Sequence, residues 1–140
     1  MEQKILQYEG PVRNEEIVLK VASYAYGNQL FVGMMRPGEE EESYGDLTIN
    51  LPYEDVERNE AFISDLNWKY KIKFIRKYKL GRVRRRVGHS GYCTYRLVQF
   101  NLKKLFLEGY SKNAIADAFE CLPETVTARI KRAEEDMNGT

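Results

Sequence analysis

The stretch IVLKVASYAYGNQLFVGM at residues 17–34 is typical of a β-hairpin. Its two arms, residues 17–21 and 29–34, are rich in β-branched and apolar side chains. Between them, Gly27-Asn28 is a tight-turn signal, because both residue types tolerate the left-handed backbone that short hairpin loops require. The stretch therefore predicts two neighbouring antiparallel strands.

Three other segments extend this sheet. Residues 46–51 are apolar at alternate positions and end at Pro52, and residues 92–101 alternate well enough to form a closing strand. Residues 4–8 add a strand at one edge. We therefore expect a small twisted antiparallel sheet.

The hydrophobic period changes after Asp65. Leu66, Tyr70, Phe74 and Tyr78 are spaced four apart, with Ile72 and Ile75 close to that stripe, and lysines and arginines occupy the other faces. This spacing predicts an amphipathic basic helix over 66–79 that packs on the sheet. Residues 82–91 are compatible with a loop or with a twisted strand.

The last 40 residues have helical patterning. Asn101 is placed to cap a helix over 102–108, Ser111 to cap a second over 112–120, and Pro123 suits the first turn of a third that runs to about 137. The predicted fold class is α+β: a small twisted antiparallel sheet with a packed basic helix, then a short all-helical tail. The predicted domains are 1–101 and 102–140.

Charge is distributed very unevenly behind a net value of +1. Residues 1–65 hold 14 acids and 5 bases, residues 66–107 hold 13 bases and no acid, and residues 108–140 hold 7 acids and 4 bases. Such a basic stretch favours a polyanion partner, because neutralising phosphates releases counterions. The predicted phosphate contacts are Lys69, Lys71, Lys73, Arg76, Lys77, Arg82, Arg84, Arg85 and Arg86.

Aromatic residues are interleaved with these cations and have two interpretations. They could stack on unpaired bases, or most of them could belong to the core, since three share one helical face. They are Trp68, Tyr70, Phe74, Tyr78, Tyr92 and Tyr95.

Residues 107–133, LEGYSKNAIADAFECLPETVTARIKRA, resemble the helix-turn-helix of sigma-factor C-terminal domains and response regulators. The resemblance implies that the third tail helix reads DNA in the major groove. The reading face would comprise Thr125, Thr127, Lys131 and Arg132. Glu120 and Glu124 depart from the glycines common in that family, and Glu134, Glu135 and Asp136 place negative charge at the end of the helix. A helical hairpin that only packs or dimerises is the alternative.

A second resemblance concerns residues 5–101. The run GRVRRRVGHSGYCTY at 81–95, with LTINLP at 47–52 and Ala61-Phe62-Ile63, is similar to a small domain family carried on conjugative and plasmid elements of gut bacteria. Arg96 stands where that family has proline. The family has no assigned activity, so the resemblance implies an α+β fold and a mobile-element context but no site.

Catalytic patterns are weak in this sequence. His89 is the single histidine, and its spacing of four from Cys93 supplies two metal ligands at most. Ser90 lacks the surroundings of a nucleophile elbow. We expect no enzyme activity, no metal and no cofactor. No apolar run approaches the roughly 20 residues of a membrane span, and the N-terminus lacks a signal-like apolar segment. We therefore expect a cytoplasmic protein without a membrane partner.

The pattern favours a non-catalytic accessory or regulatory protein of a bacterial mobile element that binds DNA or RNA. The alternative is a protein inhibitor of a host defence nuclease, of the anti-CRISPR or anti-restriction type. It would use the acidic residues 39–42 in a nuclease groove, or its basic stretch on a guide RNA. A third interpretation is a homodimer formed through the tail.

Overall fold

The computed structural model describes residues 4–27, 29–38, 40 and 42–107, and six later residues, namely 116, 124, 125, 127, 128 and 131. The strands are β1 (Leu6–Glu9), β2 (Asn14–Ser23), β3 (Leu30–Arg36), β4 (Glu42–Asp46), β5 (Thr48–Ile49), β6 (Glu60–Ile63), β7 (Gly81–Ser90) and β8 (Cys93–Phe100). The helices bounded within the described residues are α1 (Trp68–Lys77) and α2 (Leu102–Leu107).

The strands form two four-stranded antiparallel sheets. Sheet one has the order β1-β2-β3-β4, and sheet two has the order β5-β6-β8-β7. The chain passes between them at Leu47, whose N–H donates to the Val32 carbonyl at 3.0 Å. The Thr48 hydroxyl accepts a hydrogen bond from the Val32 N–H at 3.1 Å. These two bonds hold the first strand of sheet two against β3.

The predicted α+β class is wrong, because the described chain is predominantly β and has two sheets instead of one small sheet. The two helices bounded within it are short. The error has a local origin: residues 82–90 belong to strand β7, although arginines interrupt the alternation that marks a strand, and Gly91 lies in the turn that follows. The strand β6 has only four residues, which is too short for an alternating hydrophobic pattern to indicate a strand.

The predicted basic helix is present as α1. It begins at Trp68 because Asn67 has a left-handed backbone with φ 57°, and it ends at Lys77. Phe74 of the predicted stripe is buried, together with the adjacent Ile72 and Ile75, whereas Tyr70 is exposed and Leu66 lies before the helix and is also exposed. The predicted all-helical tail is not seen in the described residues. Beyond α2 they include only six helical positions, and the rest of the predicted helices over 112–120 and 123–137 lies outside them.

Two hydrophobic clusters lie on opposite faces of sheet two. Val98 and Phe100 belong to the main cluster, which also contains Ile75 of α1 and the inner side chains of sheet one. Phe62 and Leu97 belong to a smaller cluster, which also contains Leu51 and Tyr95. Successive residues of a strand point to opposite faces, so the register of β8 assigns each face its cluster. Burying each large apolar side chain stabilises the fold by about 1.5–3 kcal/mol.

Candidate nucleic-acid interface

Strand β7 contains a bulge formed by three arginines. Val83 pairs with Val98, and the next aligned pair is Val87 with Arg96. Three residues of β7 thus lie opposite the single residue Leu97 of β8. We call these residues, Arg84, Arg85 and Arg86, the arginine bulge. All three are exposed. β7 is at the edge of sheet two, where bulges commonly redirect side chains and block further strand pairing.

Two groups of basic side chains each line a cavity. The first cavity lies at the arginine bulge. This one measures about 530 Å³. It is lined by Glu60, Arg82, Val83, Arg84, Arg85, Arg86 and Leu97. The Glu60 carboxylate accepts a hydrogen bond from the Glu57 N–H at 2.9 Å, so the loop backbone holds this acid in place. Four arginines therefore line a space in which Glu60 is the acidic lining residue.

The three bulge arginines differ in how they are held. Arg86 Nη2 lies 2.9 Å from Glu54 Oε2, and Arg86 also donates to the Asp55 carbonyl. Arg84 makes a long contact of 3.5 Å to Gln99 Oε1. Arg85 makes no hydrogen bond or ion pair with any residue that the structure describes. Arg84 and Arg85 are thus the members most open to an external anion.

The exposed cations of α1 form the second basic group. A cavity of about 550 Å³ is lined by Trp68, Lys69, Ile72, Lys73, Arg76 and Lys77. Lys73 Nζ lies 3.3 Å from Glu9 Oε2, which offsets one of its charges. Lys69 and Lys77 lie over the rings of Trp68 and Tyr78 at 5.7 and 5.3 Å. These contacts hold the lysine stems against the helix and leave Arg76 exposed beside them.

Lys71 does not share this exposed face. Its side chain is only 5% exposed. Burial lowers the pKa of the Lys71 ammonium, and nearby Asp46 and Asp65 oppose that shift. A buried cation facing carboxylates is not available to a phosphate.

The two basic groups lie on opposite faces of sheet two. α1 packs on the face that carries Val98 and Phe100. Arg82 pairs with Gln99, and Arg86 lies over the Phe62 ring at 5.8 Å, which assigns both to the other face. The basic stretch predicted as one run is therefore divided into two surfaces by the sheet.

The predicted aromatic residues are mostly structural. Phe74 and Tyr95 are buried, and the Tyr78 hydroxyl accepts a hydrogen bond from the Gln7 N–H at 2.7 Å. Tyr92 is fully exposed in the β7–β8 turn. Tyr53 was not predicted; it is 67% exposed, and its hydroxyl donates to the His89 carbonyl at 3.3 Å. A single tyrosine after Pro52 carries no periodic signal that could have indicated this position.

The comparison with protein families gave one match. The model of a domain of unknown function, DUF4313, matches residues 18–119. The chain belongs to the DUF4313 family. The expected membership of a domain family without an assigned activity is thus confirmed, whereas the mobile-element context stays a prediction. No curated protein and no solved structure matches the chain.

The match of this DUF4313 chain extends past the predicted domain boundary at residue 101. Leu102 and Leu105 of α2 and the later residue Ala116 are buried in the main cluster. Of the predicted reading face, Thr125 is half-buried and Thr127 and Lys131 are exposed, all three in helical conformation. Arg132 lies outside the described residues. The helix-turn-helix therefore stays a prediction.

The candidate metal and nucleophile residues have ordinary partners. His89 Nδ1 lies 3.2 Å from the Thr94 hydroxyl, and the Cys93 thiol lies 3.9 Å from Asp65 Oδ2. In the described part of the chain, no three His, Cys, Asp or Glu side chains are grouped so that they could hold a metal ion. None of the helices described is both long and apolar enough to cross a membrane.

Proposed function

We propose that this protein binds nucleic acid without catalysing a reaction on it, and that Arg84 and Arg85 of the arginine bulge contact the phosphates. The observation that supports this most strongly is the grouping of Arg82 with the bulge around one cavity at the edge of sheet two. Because the bulge inserts extra residues into one strand, it places three guanidinium groups where a regular strand would place one or two outward.

The chemistry of these side chains suits phosphodiester oxygens. A guanidinium group donates through a planar fork that matches two oxygens of one phosphate, and its charge persists at any physiological pH. Arg85 has no internal partner in the described part of the chain, and Arg84 has only a long one. Binding by these two residues would therefore break few existing interactions.

The cations of α1 form a second surface for phosphate contact. Lys69, Arg76 and Lys77 are exposed on it, whereas Lys71 is buried and does not contribute. The predicted tail residues Thr125, Thr127, Lys131 and Arg132 would be a third contact if the helix-turn-helix forms.

The biological setting that we infer is a bacterial mobile element, in which the protein would be a cytoplasmic accessory or regulatory factor. This rests on the resemblance of residues 5–101 to domains carried on conjugative and plasmid elements. An arginine-rich surface that contacts phosphates without reading bases fits an accessory role, because phosphate contacts position a protein and carry no sequence information.

Fluorescence anisotropy with labelled single-stranded DNA, single-stranded RNA and duplex DNA tests the proposal. We expect affinity to fall with salt for the wild type. Removal of two phosphate contacts in R84A/R85A should reduce the magnitude of the log–log salt slope by about 1.4 on a single strand, at roughly 0.7 per phosphate.

The matched control is R13A. Arg13 is exposed near β2, and its guanidinium pairs with Glu15 at 2.7 Å. The control removes one positive charge from sheet one and should leave the salt slope unchanged. Absence of binding to all three nucleic acids at low salt, or equal losses in R84A/R85A and R13A, would overturn the proposal.

A further inference from the structure

The end of the β7–β8 hairpin is a two-stranded ribbon. β6 pairs with β8 only from Leu97 to Gln99, whereas β7 pairs with β8 as far as Ser90 and Cys93. The turn at its tip consists of Gly91 and Tyr92. Gly91 has φ +60°, a backbone conformation that residues with a side chain rarely adopt. The ribbon thus carries the fully exposed Tyr92 ring beyond the last residues that β6 supports.

A second exposed ring is fixed beside the same strand. The Tyr53 hydroxyl donates to the His89 carbonyl of β7, and 67% of the residue is exposed. Arg86 holds the following residues of that loop through the Glu54 carboxylate and the Asp55 carbonyl. The ring is therefore both exposed and restrained, so little conformational freedom would be lost when a ligand stacks on it.

The phosphate-binding and aromatic residues succeed one another along β7. Arg84 and Arg85 come first, His89 with the attached Tyr53 follows, and Tyr92 is at the tip. The five residue-to-residue steps from Arg85 to Ser90 correspond to about 17 Å at roughly 3.3 Å each. Arg86 lies between Arg85 and Ser90 in sequence and is bonded to Glu54 and Asp55 in the loop that carries Tyr53. Its role is therefore to position Tyr53 and not to contact the ligand.

We propose that the ligand is single-stranded nucleic acid that follows β7, with its phosphates on Arg84 and Arg85 and unpaired bases stacked on Tyr53 and Tyr92. This rests on the proposed function and specifies its substrate class. Base faces are accessible in a single strand and hidden in a duplex, and aromatic side chains stack on them with little sequence preference. A duplex would use the arginines but leave both rings without partners.

The test compares the affinities of single-stranded DNA, single-stranded RNA and a duplex of equal length for the full-length protein and its tyrosine variants. We expect Y53A and Y92A each to weaken single-strand binding by about fivefold or more, the effect of losing one stacked base. Duplex binding should change by less than twofold. Y92F retains the ring and should bind as the wild type does. The DNA and RNA arms show which single strand the surface prefers.

V12A is the control, because Val12 is an exposed apolar residue between β1 and β2 of sheet one, outside both basic groups, and V12A should bind as the wild type does. Circular dichroism of each variant establishes that it is folded, Y92F separates the ring of Tyr92 from its hydroxyl, and Y53A tests stacking even if Y92A misfolds. Equal affinity for single strands and duplex with no effect of Y53A or Y92A would overturn this inference and leave the proposed function standing. Failure to bind any nucleic acid would overturn both.

Discussion

Arg86 and Glu54 join the edge strand β7 to the loop that carries Tyr53, with Nη2 and Oε2 2.9 Å apart. Arg86 also donates to the Asp55 carbonyl and lies over the Phe62 ring. It belongs to the arginine bulge by sequence, but its contacts are those of a structural residue. The bulge therefore combines two roles in adjacent side chains: Arg86 holds a loop, and Arg85 is open to solvent.

The two roles predict different effects of the same substitution at neighbouring positions. R86A should lower the free energy of unfolding by about 1–2 kcal/mol, since a partly exposed ion pair and a hydrogen bond to a carbonyl are lost. R85A should change it by less than about 0.5 kcal/mol, as expected for an exposed side chain without such contacts. Urea unfolding measures both. Equal stabilities of the two variants would contradict the assignment.

Gly88 permits the ribbon to pack on the smaller cluster. A Cβ at this position would lie 2.8 Å from Phe62 Cε1 and 2.9 Å from Leu51 Cδ1. G88A should therefore destabilise the protein by about 1–3 kcal/mol, because the ring and the leucine must move apart. At Gly45 the nearest atom to a Cβ is Met34 Cε at 3.7 Å, so G45A is the control with an ordinary contact. Thermal unfolding of both variants checks the prediction, which fails if their midpoints fall equally.

Arg96 stacks on the single tryptophan of the chain. Its Cζ lies 3.3 Å from the centroid of the Trp68 ring. R96A should uncover that ring and shift its fluorescence emission to longer wavelength, with a loss of about 0.5–2 kcal/mol of stability. R96K retains the charge but not the planar stacking and should show an intermediate shift. An emission spectrum of R96A identical to that of the wild type would show that the stack is absent in solution.

Tyr8 predicts a loss of stability in alkaline solution. Burial, followed by the nearby phenols of Tyr44 and Tyr70, raises the pKa of Tyr8 from 10.0 to about 12. Between these values the unfolded chain releases the phenol proton and the folded chain retains it. The contribution of Tyr8 is thus complete below pH 10 and is lost as the pH rises to about 12.

Urea unfolding at several pH values across this range provides the measurement. Y8F cannot ionise, so its stability should fall less steeply than that of the wild type. Parallel pH profiles for the two proteins would show that another group accounts for the alkaline loss.

Local patterns were sufficient to locate several elements. The arms of the hairpin at 17–34 correspond to parts of β2 and β3, because their β-branched and apolar residues favour a pleated, half-buried surface. The fourfold spacing after Asp65 located α1, but only part of the predicted stripe is buried, because Leu66 and Tyr70 are exposed. The opening residues form β1 at an edge of sheet one, as the prediction had it.

Local patterns failed where partners are remote in sequence. The sequence of β7 fits either a loop or a strand, because three consecutive arginines break the alternation of apolar and polar residues. Its bulge is defined only by the register with β8. The sequence predicts Lys71 as a surface cation, but the residue is buried and lies near Asp46 and Asp65, which are remote in sequence or on another element. Tyr53 acquired its orientation from His89, 36 residues away.

Charge distribution and hydrophobic period are properties of neighbouring residues, and they alone established the basic stretch, the main hairpin and α1. The division of that stretch into two surfaces could not be obtained in this way. It depends on which face of sheet two each side chain occupies, and strand pairing across long loops sets that face. The same pairing places Arg85 in solvent and Arg86 on a loop, and the packing of α1 buries Lys71, although all three are cations of one run of sequence.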